Sequence, residues 1–403
     1  MHRALCALPL AATMACGDPA GPTVPVAPVP ATLAVGAGHA CRLSADEMLR
    51  CWGRGSEGQL GRGGFLPAPA PPDAVFDAAS FRSVVAGRAH TCALDDAGAA
   101  WCWGANDRGQ LGVDSSDLVP CGVTWCSPVP APVVGGHRFS LLAAGDQFTC
   151  GLEPAGGAWC WGLGDAGQLG QTITGDCGGN RCSLVPLRVQ GTQRLTALTA
   201  GFAHVCGLAA DGAAICWGLN DQGQLGRGDR VSSPAPRSVS SAQRFVQVSA
   251  GGVHTCALTA RGAAWCWGAD ALGAGPAALD SAVPVAVVGG GTWLQVEAGR
   301  VSTCAIRTDR LVDCWGTNLS GEMGFPEEEI HRLFPAPRRV AGDRRFETIA
   351  GKYQTYCATD AGGEVWCWGA GAQGQLGSGT IDRPEPVRVP LSDLQPRAAT
   401  SRS

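Results

Sequence analysis

Residues 86–104 read AGRAHTCALDDAGAAWCWG, a stretch that predicts a β-hairpin closed by a disulfide bond. If the hairpin closes at Asp95, its loop has three residues, and Gly98 takes the third position. That position needs a positive φ, which glycine adopts without strain. Cys92 then faces Cys102 across a non-hydrogen-bonded pair, where Cα atoms lie about 4.5 Å apart. This separation suits a disulfide bond.

The same unit recurs seven times, always as Cys, nine residues and Cys-Trp-Gly, with a period of about fifty residues. A repeat of this length is typical of propeller blades. Glu47 and Arg310 replace the loop glycine in the first and sixth units, and Cys357 lies one residue late, which predicts a bulge. The other loop glycines are predicted at Gly156, Gly212, Gly262 and Gly362. The predicted disulfides join Cys41 with Cys51, Cys92 with Cys102, Cys150 with Cys160, Cys206 with Cys216, Cys256 with Cys266, Cys304 with Cys314, and Cys357 with Cys367.

Two more strand-like runs accompany each hairpin, one like residues 81–85 and one led by proline, like residues 284–287. Proline is tolerated on edge strands, so the proline-led run is expected at the outer edge of each blade. The last such run, 386–389, has no counterpart before the first hairpin. The sequence therefore predicts an all-β fold over residues 31–390, a seven-bladed β-propeller of four-stranded blades. We expect the C-terminal strand to pair into the first blade and close the ring.

The N-terminal segment has the pattern of an export signal. Residues 1–15 carry one basic residue, Arg3, and then an apolar stretch too short to span a bilayer, which predicts a signal peptide. The residues around Cys16 resemble the bacterial lipoprotein cleavage box, in which the cysteine is lipidated; ordinary signal cleavage nearby is the alternative. Residues 16–30, rich in Pro and Val, predict an extended tether, and residues 391–403 a disordered tail.

Composition narrows the function classes. The twenty cysteines favour an oxidising compartment. A net charge of −4 without a Lys/Arg run lacks the electrostatic footprint of nucleic-acid binding. Because the sequence contains no phosphate loop, nucleophile elbow or paired-carboxylate motif, we expect neither catalysis nor a cofactor.

A Gly-Gln-Leu-Gly turn follows Cys-Trp-Gly in five units. With the recurring Ala-Gly and His elements in constant order, this pattern resembles the regulator of chromosome condensation repeat family over about residues 31–390. Units five and six depart from it, with Ala-Leu-Gly ending at Gly273 and Gly-Glu-Met-Gly ending at Gly324. The five matching turns are residues 58–61, 109–112, 167–170, 223–226 and 374–377.

The resemblance implies a seven-bladed propeller that serves as an interaction platform. The founding member of the family is a nucleotide exchange factor for a nuclear small GTPase, a role that we reject for an exported chain. Secreted bacterial relatives, including an inhibitor of β-lactamases, bind proteins through one face of the ring. They are the closer analogy, at the level of the fold.

Two repeated residue types invite functional interpretations that we set aside. Four units carry a histidine two residues before their first cysteine. Because these histidines belong to different blades, they favour structural bonds to loop backbone over metal ligation. The tryptophan after each second cysteine favours burial between sheets over sugar stacking. Trp125 and Trp293 fall outside this pattern and are better ligand candidates. The histidines are His39, His90, His204 and His254, and the repeated tryptophans are Trp52, Trp103, Trp161, Trp217, Trp267, Trp315 and Trp368.

Two C-x4-C insertions follow equivalent strands of neighbouring units, Cys121 to Cys126 and Cys177 to Cys182. Local disulfides are favoured over one shared zinc site in an oxidising compartment. Both loops should project from the same side of the ring. They carry Trp125 and Arg181, two residue types that often dominate interface energy, and we therefore predict these as binding residues.

The sequence as a whole predicts an exported, lipid-anchored or secreted propeller of the cell envelope that binds an unknown protein partner. A glycan-binding module is the alternative, and seven similar pockets between blades would favour it. One asymmetric patch built from the two insertions would favour a protein. The lipid anchor would be its sole contact with the membrane.

Overall fold

The computed structural model describes residues 32–76, 79–191, 194–270 and 272–391. The predicted signal peptide, Cys16, the tether and the tail beyond Leu391 lie outside the described residues. The described chain forms seven antiparallel sheets of consecutive strands around a central channel, which confirms the predicted all-β, seven-bladed propeller. Each sheet has four strands except the second, to which an insertion adds a fifth.

The strands of each blade are numbered along the chain. The first three blades contain β1 Leu33–Val35, β2 His39–Leu43, β3 Leu49–Gly55 and β4 Leu66–Ala74; β5 Phe81–Ala86, β6 His90–Asp95, β7 Ala100–Ala105, β8 Val119–Cys121 and β9 Thr124–Pro132; and β10 Leu141–Ala144, β11 Phe148–Leu152, β12 Ala158–Leu163 and β13 Cys182–Arg188. The fourth and fifth contain β14 Leu195–Ala200, β15 His204–Ala209, β16 Ala214–Gly218 and β17 Ser233–Ser238, then β18 Phe245–Ala250, β19 His254–Thr259, β20 Ala264–Gly268 and β21 Ser281–Ala286. The last two contain β22 Trp293–Ala298, β23 Ser302–Arg307, β24 Val312–Asn318 and β25 Arg332–Arg339, then β26 Thr348–Lys352, β27 Thr355–Thr359, β28 Val365–Gly369 and β29 Arg383–Arg388. Short 3-10 helices lie at Ser115–Asp117 and Glu327–Glu329.

Within each blade, the first strand lines the channel and the proline-containing fourth strand lies furthest out. The fourth strand is the outer edge in six blades, as predicted. In the second blade the short strand β8 pairs with β9 and covers that edge. Proline suits the outer position because its missing N–H has no strand partner there.

A disulfide joins the second and third strands of every blade. Cys92 and Cys102 are directly opposed in the ladder, and their Cα atoms lie 4.1 Å apart. The other six hairpin bonds have the same directly opposed register and Cα separations of 4.0–4.2 Å. They join Cys41 with Cys51, Cys150 with Cys160, Cys206 with Cys216, Cys256 with Cys266, Cys304 with Cys314, and Cys357 with Cys367. The structure thus pairs the same cysteines as the sequence prediction.

The disulfides account for every described cysteine. Each ten-residue closure contributes about 2.5 kcal/mol in the chain-entropy model. With the two insertion disulfides, all eighteen described cysteines are paired. Each hairpin is therefore covalently closed within its own blade.

The hairpin loop has the predicted three-residue form. The backbone N–H of Asp95 donates to Ala99 O at 3.0 Å, and Gly98 has a φ of 81°. Glu47 and Arg310, which replace glycine in two blades, adopt the same left-handed conformation with φ of 61° and 68°. The loop geometry is thus set by the strands and their disulfide, and glycine only lowers its cost.

The seventh hairpin corrects two expectations. Its left-handed loop residue is Gly363, with a φ of 80°, and the prediction of Gly362 was wrong by one position. The predicted bulge near Cys357 is also wrong, because β26 and β27 pair without a register shift. The hairpin keeps the two-residue turn of the other blades, and Lys352, opposite Thr355, takes the place that Gly87 holds opposite His90 in the second blade.

The closure of the ring also differs from the prediction. The C-terminal strand β29 pairs with β28 inside the seventh blade, and β1 supplies the first strand of the first blade. No strand is therefore exchanged between the two blades in the described chain. They meet through side chains: the Trp52 indole donates to Gln375 O at 2.8 Å, and Leu33 packs in one cluster with Val389.

The closing contact repeats between other neighbouring blades. The carbonyl of Gln59 in the first blade's turn accepts from the Trp103 indole at 3.0 Å and from the Thr91 hydroxyl at 2.9 Å, both in the second blade. Gln224 O makes the same pair of bonds to the fifth blade. The seven repeated tryptophans are fully buried, which confirms the structural interpretation. The ring closes through this contact, so it needs no strand exchange.

The four repeated histidines have a structural role, as predicted, but their partner is not loop backbone. His39 Nε2 lies 2.9 Å from the hydroxyl of Thr91 in the next blade. Because that hydroxyl donates its proton to Gln59 O, the histidine must be the donor. The equivalent contacts are His90 with Thr149, His204 with Thr255 and His254 with Thr303, at 2.8–3.0 Å.

These histidines predict acid-sensitive stability. Burial lowers the pKa of His39, His90, His204 and His254 from 6.5 to about 3. Between these values the unfolded chain binds protons that the folded chain excludes, so stability falls as pH drops from 6.5 towards 3. Each histidine contributes up to about 1.4 kcal/mol per pH unit. The urea midpoint should drop steeply between pH 7 and pH 5.

The His90→Phe variant is the matched control for this prediction. Phe148 occupies the equivalent position of the third blade, so the aromatic side chain is compatible with the site. The variant should lose about a quarter of the pH dependence, because one of four similar histidines is removed. A midpoint that does not change between pH 7 and pH 5 would contradict the assignment.

The sixth blade carries a buried carboxyl in its turn. In the first blade, the Gln59 side chain accepts from Glu57 N–H at 2.9 Å and donates to the Glu57 carboxylate at 2.9 Å. Glu322 takes this position in the sixth blade, and one carboxyl oxygen accepts from Ser320 N–H at 2.6 Å. Its other oxygen, Oε1, is buried and has no hydrogen-bond partner in the described chain. Burial raises the pKa of Glu322.

The Glu322→Gln variant should be more stable than the parent above pH 4.5. In the unfolded chain Glu322 ionises near its ordinary pKa of 4.5, whereas burial delays ionisation in the folded chain, so its contribution to stability falls as pH rises. We expect a gain of about 1–3 kcal/mol at pH 8. Guanidinium unfolding at pH 5 and pH 8 measures it. An equal difference at both values would show that ionisation is not the cause.

Candidate functional site

The two insertions lie on the same face of the ring. Each blade is an up-and-down sheet, so its first-to-second and third-to-fourth loops emerge on one face and the remaining loops on the other. Both insertions are third-to-fourth loops, in the second and third blades. This agrees with the predicted common side, which we call the insertion face.

The first insertion is a short hairpin clamped by a disulfide. Strands β8 and β9 pair from Val119 to Cys126, and Cys121 and Cys126 are bonded with Cα atoms 5.9 Å apart. Gly122, with a φ of 68°, turns the chain at the tip. Trp125 O accepts from Asn106 N–H at 2.9 Å, which joins the hairpin to the end of β7. The backbone that carries Trp125 is therefore held at both ends.

The second insertion is a tighter loop. Cys177 and Cys182 are bonded, and Cys177 N–H donates to Asn180 O at 2.9 Å inside the loop. Arg181 N–H donates to the Asp165 carboxylate at 2.7 Å, and Arg181 O accepts from Gly164 N–H at 2.7 Å. These bonds hold the Arg181 backbone while its side chain stays exposed. Local disulfides, rather than a shared metal site, account for all four insertion cysteines.

The two loops are supported by contacts between adjacent blades. Gly109, in the turn of the second blade, has no room for a Cβ, which would lie 2.7 Å from Ser183 O. Gly58 packs in the same way against Pro128, just after Cys126. Each insertion thus starts or ends at a strand locked against the neighbouring turn, which limits its movement relative to the ring.

Exposed apolar side chains cluster on these loops. Val123 is fully exposed, Trp125 is 54% exposed and Leu184 is 58% exposed. We call these residues, with Val119 and Arg181 on the same two insertions, the insertion patch. Several large apolar side chains exposed in one region of a protein surface are typical of an interaction site.

The rim of the patch is acidic. Exposed Asp114 and Asp117 flank the first insertion, and Asp165 and Asp176 flank the second. Hydrogen bonds from the Ser116 N–H and hydroxyl to the Asp114 carboxylate lower the pKa of that group, so it is ionised at neutral pH. An apolar centre with an acidic rim matches a partner with an apolar anchor and basic neighbours.

The sequence identified Trp125 and Arg181 but not the rest of the patch. Val119 and Val123 lie in the same insertion, yet their exposure depends on a hairpin standing clear of the blade. Leu184 is in a proline-containing outer strand and shows no distinct signal. Trp293, the other candidate from the sequence, is only 2% exposed and packs on Trp315 at 5.8 Å between ring centroids, so it is a core residue.

Comparison with known proteins identifies the repeat. The RCC1-like domain model matches residues 13–337, and the regulator of chromosome condensation (RCC1) repeat matches residues 362–398. The ultraviolet-B receptor UVR8 of Arabidopsis thaliana is 33% identical over 209 residues, which cover 51% of this chain and 44% of that protein. The probable E3 ubiquitin-protein ligase HERC3 of Homo sapiens is 31% identical over 207 residues, 49% of this chain and 18% of that protein. The chain thus matches less than half the length of either relative.

Solved structures support the same fold. Human WBSCR16 superposes with a TM-score of 0.73 at 19% identity, covering 84% of this chain and 92% of that one. Yeast RCC1 (Prp20), solved bound to Kap60, superposes with a TM-score of 0.72 at 21% identity, covering 94% and 89%. Identities this low show the fold alone. Because the RCC1-like domain model matches most of the length of this chain, the chain belongs to the RCC1-like family of seven-bladed propellers.

Proposed function

We propose that this protein is an exported, lipid-anchored scaffold that binds a protein partner through the insertion patch and does not itself catalyse a reaction. The observation that carries the proposal is the patch itself: exposed Trp125 and Val123 on a disulfide-clamped hairpin, beside Arg181 on a second clamped loop. RCC1-like propellers serve as platforms for protein partners, as in the complex of yeast RCC1 with Kap60.

The proposed location rests on the cysteines and the N-terminal sequence. Nine disulfides in one chain are typical of proteins from oxidising compartments. Residues 1–15 have the charge and length of an export signal, and Cys16 follows it in a lipoprotein-like context. In the described ranges, no helix has the length and hydrophobicity to cross a bilayer.

A protein is favoured over a glycan because the patch is asymmetric. It occupies two neighbouring blades of the seven, and its apolar side chains are backed by rigid backbone. Rigid aromatic anchors lose little conformational entropy on binding, which concentrates binding energy in a few residues. Sugar binding by equivalent sites would instead use a position common to all blades. The repeated tryptophans are buried and offer no such surface.

Affinity capture from a cell-envelope extract tests this function. The bait is the mature chain, compared with a variant carrying Trp125→Ala and Arg181→Ala. Hot-spot residues each contribute about 2 kcal/mol or more, so we expect the double variant to lose the specifically retained protein. Binding of the identified partner should weaken at least about a thousandfold in a direct titration.

A second double variant controls for general loss of apolar surface. Val231→Ala and Ile381→Ala remove side chains that are 68% and 56% exposed on third-to-fourth loops of other blades. This control should retain the partner. Equal retention by all three proteins would exclude the patch as the binding site. If no protein is retained and the chain binds envelope polysaccharide, the glycan alternative replaces the proposal.

A further inference from the structure

The central channel is a second site, distinct from the insertion patch. One strand from each of the seven blades lines it, and its volume is about 1080 Å³. Small-molecule sites commonly occupy roughly 300–1,000 Å³, so the channel has room for a ligand and accompanying water. Its walls differ between blades, since they are built from unlike residues at equivalent strand positions.

A lysine in place of a glycine closes one end of the channel. Lys352 stands where the other six blades have glycine, and its side chain reaches across the ring, where its ammonium donates to Ala144 O of the third blade and, at 3.4 Å, to Ala200 O of the fourth. These are the blades opposite the seventh. Lysine has three donors, so one remains for a ligand. Lys352 is the sole lysine of the chain.

Tyr353 seals the same end from outside. Its hydroxyl donates to the Asp146 carboxylate at 2.6 Å, and its ring packs on Phe202 with centroids 4.7 Å apart. The backbone at Tyr353 has a φ of 54°, a left-handed conformation that a non-glycine residue adopts at a cost. The Tyr353 carbonyl also accepts from Arg300 N–H at 2.7 Å. These contacts hold the tip of the hairpin in place.

The channel is therefore a blind pocket that opens on the face opposite the insertion patch. The lining of the pocket extends as far as Lys352. None of the described residues in the first-to-second strand loops, which lie beyond Lys352, lines it. At the other end the lining includes second-to-third loop residues and three arginines, Arg82, Arg244 and Arg310. Arg310 pairs with Glu347 at 2.9 Å and Arg244 with Asp211 at 3.5 Å, so this mouth is ringed by charge.

Glu297 lines the channel, and its contact with the neighbouring blade differs from that of its equivalents. At the equivalent positions of the two preceding blades, Thr199 accepts from Ala250 N–H at 3.2 Å and Ser249 accepts from Ala298 N–H at 3.0 Å, which ties neighbouring blades together. The Glu297 carboxylate instead receives only side-chain donors in the described chain, from Ser249 and Gln295, both at 3.2 Å.

Lys352 and Glu297 both line the channel and form no ion pair with each other. Burial lowers the pKa of Lys352 to about 8, an effect that the Asp146 and Glu297 carboxylates partly offset. Burial raises the pKa of Glu297 to about 7, and Lys352 offsets part of that rise. No nitrogen–oxygen contact within 4.0 Å joins them, although such pairs are recorded throughout the described chain. A ligand that carries both charges would contact each group and stabilise its ionised form.

Aliphatic side chains line other parts of the channel. Val85, Leu141, Val246 and Leu294 are half-buried lining residues on the first strands of the second, third, fifth and sixth blades. Below the charged residues of its mouth, the pocket therefore combines the Lys352 cation, the Glu297 carboxyl and aliphatic side chains. This set matches a zwitterion with an aliphatic side chain, as in an apolar α-amino acid.

We propose that the channel binds a small apolar α-amino acid, with its carboxylate on Lys352, its ammonium group on Glu297 and its side chain against these aliphatic residues. This site is independent of the insertion patch and goes beyond the proposed scaffold function. The ligand enters from the arginine-ringed face, so a protein bound to the insertion patch leaves the pocket accessible.

Isothermal titration with three related compounds tests the site. L-leucine carries both charged groups, L-leucinamide lacks the carboxylate, and 4-methylpentanoate lacks the ammonium group. The parent protein should bind L-leucine at least about tenfold more tightly than either half-ligand, because each loses one charge-assisted contact. Absence of L-leucine binding at millimolar concentration would overturn the proposal.

Each of two variants should weaken a different half-ligand, a result that a purely structural role of Lys352 or Glu297 would not produce. Lys352→Met should weaken L-leucine and 4-methylpentanoate about tenfold or more and leave L-leucinamide unchanged. Glu297→Gln should weaken L-leucine and L-leucinamide and leave 4-methylpentanoate unchanged. Equal losses for all three compounds would contradict the assigned contacts. If Lys352→Met does not fold, the two Glu297→Gln comparisons decide the question alone.

Discussion

The turn of one blade binds the buried tryptophan of the next, and the ring depends on this contact. The carbonyl of the turn glutamine accepts from a fully buried indole in the first, third, fourth and seventh blades, and Glu322 O does so in the sixth. A buried indole N–H without an acceptor would cost about 1–3 kcal/mol, so the turn cannot shift without penalty. The contact from Gln375 to Trp52 joins the chain ends.

Five of the seven repeated indoles make this contact, whereas a disulfide closes the hairpin of every blade. The hairpin that presents each tryptophan is closed by a cysteine pair one residue before it, as with Cys102 and Trp103. The covalent bond orders the hairpin locally, and the indole, threonine and histidine bonds orient it against its neighbour. Regular packing of this kind leaves the departures from the repeat as the places where individual chemistry can arise. The two insertions and Lys352, which replaces a glycine in the seventh hairpin, are such departures.

Local features of the fold could be predicted from the sequence, because they depend on spacing within one unit. The opposed cysteines, the left-handed loop residue and the outer proline strands all follow from local register. The ring closure could not, since β1 is only three residues long, Leu33–Val35, and follows a proline-rich segment. The position of the Lys352 side chain could not be predicted from the sequence either. It depends on carbonyls of the third and fourth blades, about 150 to 210 residues away along the chain.

The candidate sites show the same division. Trp125 and Arg181 stood out because their loops carry cysteines and interrupt the repeat. The apolar neighbours of these residues depend on which side chains the folded hairpin leaves uncovered. Glu297 gave no sequence signal at all, because its position is occupied by Ser249 and Thr199 in neighbouring blades and only the ring brings it towards Lys352.

The central claim is that the ring is built from hairpins that are each closed by their own disulfide. Disulfide mapping by mass spectrometry tests this claim on mature protein that is digested without reduction after its thiols are blocked. The account predicts seven bonds between cysteines ten residues apart, two bonds between cysteines five residues apart, and no blocked thiol among these eighteen residues. Bonds between different blades, or free thiols within the hairpins, would contradict it.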